Sequence, residues 1–147
     1  MGIRTKEQQM AQAAFERVQG RNSGFEDYSS FALAFPSLVH SCGLAQALAF
    51  AQAKGRADYL SDLENVLGED VGENGGGDLC TRSRESELME YTRLSRRVLM
   101  AASWIKRYCQ HLAGRTLSSG LIGYLSLSPL SNSSGKQTHI EDRKSVV

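Results

Sequence analysis

The sequence predicts an all-α protein: a single compact bundle of about five to six helices with a long C-terminal helix. Three observations carry that prediction. There are few β-branched runs and no alternating apolar-polar stretch of strand length. Apolar residues instead recur at i, i+3 and i+4 along most of the chain. Glycines then stand where each periodic run stops. At 147 residues, with 41% hydrophobic and 22% charged residues, the chain is long enough to bury one core and too ordinary in composition to be disordered throughout.

The elements follow in order. Thr5-Lys6-Glu7-Gln8 has the form of a capping box, and Met10, Ala14 and Val18 continue as the inner face of a first helix that Gly20 stops. Asp27 is placed to cap a second segment, with Phe31, Phe35, Leu38, Val39 and Cys42 as its apolar stripe. Pro36 predicts a kink or a restart there, and Gly43 an end. Leu44, Ala47, Leu48 and Ala51 make an alanine-rich third helix that ends at Gly55, and its small residues permit close approach. Tyr59, Leu60, Leu63, Val66 and Leu67 make a fourth, closed by Gly68. Residues 68–78 hold five glycines in eleven positions and read as an exposed flexible loop.

The strongest pattern comes next. Tyr91, Leu94, Val98, Ala101, Ile105, Tyr108 and Leu112 repeat at spacings of three and four, the seam of a helix from about Ser86 to Leu112. At 1.5 Å per residue it spans about 40 Å. Ser86 is its predicted cap, with Glu87 and Glu90 in the first turn, Arg107 and His111 in the last, and Gly114 as its stop. Beyond that, serine dominates. The expected organisation is therefore a helical bundle over 1–114 and a disordered or loosely docked tail over 115–147.

Charge is unevenly distributed. Residues 57–81 carry seven acids and no base, a charge of −7; residues 82–115 carry eight bases against three acids, a charge of +5. A dipolar molecule of this kind binds a polyanion on one side or stacks acidic-to-basic with copies of itself. On the long helix Arg93, Arg97, Trp104, Arg107 and His111 lie on neighbouring rows away from the seam, a guanidinium stripe with an aromatic inside it. Such a stripe suits phosphates and stacked bases. The plainer alternative is that Trp104 packs into a second apolar contact and the arginines pair with acids.

Catalytic chemistry leaves no trace. His40 and Cys42, and Cys109 and His111, are i, i+2 pairs about 200° apart on a helix and do not converge on one metal ion. The three cysteines are odd in number and lack C-x-x-C spacing, so reduced thiols are expected. The glycine run 75–77 lacks the G-K-[ST] of a phosphate loop, and Ser134-Gly135-Lys136 has no preceding strand. No catalytic residues, cofactor or metal are expected. No apolar stretch reaches membrane-spanning length and the N-terminus has no signal segment, which predicts a cytoplasmic protein with no membrane partner; no small-molecule substrate is expected either.

Several islands, in order and spacing, resemble one family. They are Arg4-Thr5-Lys6-Glu7-Gln8; Pro36-Ser37-Leu38-Val39 followed by Gly43-Leu44-Ala45-Gln46-Ala47-Leu48-Ala49-Phe50; and Tyr91-Thr92 leading to Trp104-Ile105-Lys106-Arg107-Tyr108. Over about residues 3–114 the chain resembles the small all-helical subunit, fifth of the Cmr series, of type III-B CRISPR RNA-silencing complexes. The resemblance implies a non-catalytic helical subunit in antiviral defence, stacked in an inner filament along the channel where guide RNA pairs with target RNA. Other Cmr subunits and both RNAs would be its partners. The family offers no active-site motif, so the residues expected to face RNA or a neighbouring subunit, Arg93, Arg97, Lys106 and Arg107, come from charge and helix geometry alone. The acidic glycine-rich insert around 68–78 is longer than the family needs. A helical protein-binding adaptor or a DNA-binding regulator is the alternative reading.

Overall fold

The structure, a computed structural model, describes residues 2–68 and 78–127, the last of these, 116–127, by their backbone alone. Six helices are found among the described residues, and no strand: α1 Lys6–Gln19, α2 Phe25–Cys42, α3 Leu44–Ala53, α4 Ala57–Leu67, α5 Leu79–Glu85 and α6 Leu88–Leu127. Met1–His111 form one compact unit and Leu112–Val147 a second. Of the second, the described part is the helical run to Leu127.

Local sequence explains most boundaries. Thr5 and Gln8 exchange the two hydrogen bonds of a full capping box at the start of α1. Gly43, Gly55 and Gly68 all adopt positive φ where α2, α3 and α4 end, a region that disfavours any residue with a side chain. Asp27 is not the cap of α2: that position is Gly24, at φ 65°, and Asp27 lies in the first helical turn beside Glu26, where the helix dipole favours acids. Nor does Pro36 restart the helix. α2 runs through it as one element, with Pro36 buried among the core residues.

Two differences lie around α6. The short helix α5, capped by Asp78 through the Thr81 amide, is not legible as periodicity because seven residues make only two turns. Ser86 belongs to it. Its hydroxyl donates back to the Arg82 carbonyl at 2.6 Å, so it closes α5, and α6 begins two residues later. α6 also passes through Gly114 to Leu127, so Arg107 and His111 lie within the helix and not in its last turn. A single glycine costs a helix only about 1 kcal/mol, too little to end one that is otherwise well formed. The serine-rich residues 128–147 and the loop residues 69–77 lie outside the described part of the chain.

The core of the first unit is aromatic at its centre. Phe35 and Tyr59 pack with centroids 5.0 Å apart, and Tyr28 stands 5.7 Å from Tyr59. α1 packs on α4, α2 on α3, and α3 on both α4 and α5. The middle of the α6 seam is buried as its spacing predicts, with Leu94, Val98, Ala101 and Ile105 inside, while Tyr108 and Leu112 toward its far end are half-buried. Tyr91 is only half-buried, and its hydroxyl accepts a hydrogen bond from the Ala45 amide at 3.2 Å, at the start of α3.

Candidate nucleic-acid interface

The outward side of α6 collects the charges that the seam excludes. Arg93, Arg97, Trp104, Arg107 and His111 fall within about 80° of one another around the helix axis. Arg93, Arg96, Arg97 and Arg107 are all exposed. Arg107 stacks its guanidinium on Trp104, 5.4 Å from the ring centroid, which holds the cation beside an aromatic surface. Trp104 is itself half-buried and lies nearly parallel to Tyr108, centroids 6.0 Å apart, while Phe15 of α1 meets Tyr108 edge-on at 5.4 Å. Trp104 is thus both: packed on one side and accessible on the other.

Lys106 does not join this face. Nine residues, or two and a half turns, separate it from Arg97, which sets the two about 180° apart on α6. Lys106 is half-buried on that other side. Arg97 occupies a more enclosed position than Arg93. With Met100 it lines a groove of about 640 Å³ against Lys6 and Met10 of α1 and Val66 and Gly68 at the end of α4.

The acidic segment behaves differently from the charge count. Asp62 is buried, accepting from Tyr28 Oη at 2.8 Å and from the Nε and Nη2 of Arg21. Arg21 also donates to Asp58 at 3.2 Å and lies over the Tyr28 ring at 3.6 Å. Burial works against the Arg21 charge, but the hydrogen bond and charge of Asp62 outweigh it and raise its pKa above the ordinary value. Burial, and then the hydrogen bond to Asp62, hold the Tyr28 hydroxyl far above the usual phenol range. Glu64 accepts from the Leu79 amide at 3.0 Å, and Asp78, its pKa lowered by the Thr81 hydrogen bond, caps α5. Four of the seven acids are therefore held in contacts within their own chain. The signal is present in the sequence: Asp62 stands three residues after Tyr59 and four before Val66, on the apolar row of α4.

Among the described residues the histidines and cysteines do not converge. His40 and His111 are exposed, Cys42 is half-buried, and Cys80 and Cys109 are buried free thiols. Among the described residues no group of three His, Cys, Asp or Glu side chains could hold a metal ion. No helix among them is long and apolar enough to cross a membrane.

Comparison with known proteins gives a consistent result. The family described as CRISPR-associated protein (Cas_Cmr5) matches residues 6–112. The chain is 40% identical over 112 residues to the CRISPR system Cmr subunit Cmr5 of Thermus thermophilus, spanning 75% of this chain and 97% of that protein. A crystal structure of a CRISPR-associated Cmr5 family protein from the same organism is similar at a TM-score of 0.65 and 42% identity, covering 74% of this chain and 98% of that one.

Proposed function

The chain belongs to the Cmr5 family of CRISPR-associated proteins, and from that premise we propose that it is a non-catalytic structural subunit of a type III-B Cmr ribonucleoprotein complex in antiviral defence. Its place is the inner filament along the channel of guide and target RNA, in contact with other Cmr subunits in the cytoplasm. The observation that carries this reading is the 40% identity to a Cmr subunit across 97% of that protein's length. The all-helical fold, shared with a solved Cmr5 family protein, supports it.

Within that role the α6 face of Arg93, Arg97 and Arg107 is the side turned to RNA. Arginines spaced over about 21 Å of helix match a run of backbone phosphates, and the exposed part of Trp104 offers a stacking surface. A neighbouring copy's 57–81 segment is the weaker occupant of this face, because Asp58, Asp62, Glu64 and Asp78 already have internal partners.

The test is reversal of Arg93, Arg97 and Arg107 to Glu, with target-RNA binding by the assembled complex measured across a salt series. Loss of three phosphate contacts is expected to lower the slope of log K against log salt by about 2 per copy. Lys106→Glu is expected to leave it unchanged. A triple variant that assembles and keeps the wild-type slope refutes an RNA contact on this face.

A further inference from the structure

α3 contains no charged residue in its ten positions, LAQALAFAQA, and its exposed side carries only the neutral Gln46 and Gln52 as polar groups where a surface helix normally carries charges. Ala49, Phe50 and Ala53 are exposed, Phe50 by 43%. Phe50 lies parallel to the half-buried Phe31 of α2, centroids 6.5 Å apart and planes 10° apart. Two cations stand over these rings at the C-terminal end of α3: Lys54 Nζ is 5.6 Å from the Phe50 centroid and the Arg56 guanidinium 5.6 Å from that of Phe31. The result is an apolar patch with a basic rim.

The other end of α3 carries the reverse arrangement. There the Tyr91 hydroxyl holds the Ala45 amide and so seats the start of α6. Leu88 and Met89 at that start are 78% and 71% exposed, with Glu85, Glu87 and Glu90 around them in the chain. The nearby Arg82 pairs with Glu90 at 3.4 Å, and Arg84, hydrogen-bonded to the neutral Thr81 hydroxyl, keeps its charge, so Glu85 and Glu87 leave this end with a net charge of −1. This is an apolar tip with an acidic rim, and Glu85 and Glu87 are exposed.

Two exposed apolar surfaces, opposite in the charge of their rims and at opposite ends of one helix, are what a head-to-tail contact between identical molecules requires. We propose that Leu88 and Met89 of one copy dock on the Phe31 and Phe50 patch of the next, with Glu85 and Glu87 meeting Lys54 and Arg56. The proposal rests on the filament reading above and assigns the surfaces by which one copy meets another. Because each copy offers one surface of each kind, the contact repeats along a filament and leaves the arginine face of α6 out of it.

Charge reversal in pairs tests it. Lys54→Glu with Arg56→Glu makes both rims acidic; Glu85→Lys with Glu87→Lys makes both basic. Each variant, checked for helicity by circular dichroism, is reconstituted into the complex alone and as an equal mixture, and copies of the subunit are counted by native mass spectrometry. The expected result is the wild-type number of copies for the mixture and a single copy for each variant alone. Phe50→Ala, which leaves every charge in place, is expected to reduce the count as well. Variants that alone retain the wild-type number overturn the assignment. So does a loss that the mixture fails to restore, since the patches would then meet a different subunit. A wild-type complex holding one copy sinks the filament reading itself.

Discussion

The acidic segment 57–81 and the basic segment 82–115 differ by twelve charges in sequence, and among the described residues they use those charges differently: Asp58, Asp62, Glu64 and Asp78 all have partners within the chain. The acids of α4 turn inward or sideways, where Arg21, Tyr28 and the Leu79 amide take them up, and Asp78 caps α5 through the Thr81 amide. The arginines of α6 turn outward, where Arg93 and Arg96 are exposed. The difference teaches that a count of charges along a chain measures potential partners, and only the helix row on which each charge falls tells whether the partner is inside.

The comparison is sharpest within α6, which has an inner and an outer side. Ile105→Ala removes a fully buried seam side chain and is expected to destabilise by about 2–5 kcal/mol in chemical denaturation. A loss under about 1 kcal/mol would deny that α6 is clamped by its seam. Next comes the acidic side. Asp62→Ala is expected to cost about 3 kcal/mol, the low end for a broken buried ion pair, because Arg21 keeps some contact with water. If Asp62→Ala proves as mild as a surface change, the acids are not internal and the contrast between the two segments fails.

A pH titration probes the same interior more gently. Burial pushes the Cys109 thiol up to about 11, and the Tyr28 and Tyr59 hydroxyls rise for the same reason. A raised pKa means that the folded state favours the neutral thiol, so this stability is whole below the unfolded value near 9 and is lost as pH rises through about 11. The thermal midpoint is expected to fall across that window, and to fall less steeply in Cys109→Ala. An equal fall in the variant removes Cys109 from the account. The smallest effect belongs to the outer face: Arg93→Ala with Arg96→Ala is expected to stay within about 0.5 kcal/mol of wild type. A larger loss would give these arginines a structural duty that the comparison denies them.

Much of this architecture is legible in the residues. Spacing locates α1 to α4 and the α6 seam, and glycines locate four helix ends, at Gly20, Gly43, Gly55 and Gly68, because both signals are local. What is not legible depends on partners distant in sequence or on lengths too short for a period to show. α5 has two turns. The row of Asp62 on α4 marks it as inward-facing, but its partner Arg21 stands 41 residues earlier and only the fold brings the two together. Charge alone groups Lys106 with Arg97, although two and a half turns set them on opposite sides. The arginine face itself is visible as a row; the basic and acidic rims around Phe50 and Leu88 are not, since only the fold shows which apolar residues remain uncovered.

The hydrogen bond from the Ala45 amide to the Tyr91 hydroxyl has a consequence for the order in which the chain folds. α3 has no side chain of its own at its N-terminal cap, where Gly43 sits at φ 85°. Part of that cap arrives from 46 residues downstream, so the first turn of α3 gains it only after a loop of that length has closed. The beginning of α3 thus consolidates late, on the unfolding side of the kinetic barrier, and Tyr91→Phe should accelerate unfolding while leaving the refolding rate almost unchanged.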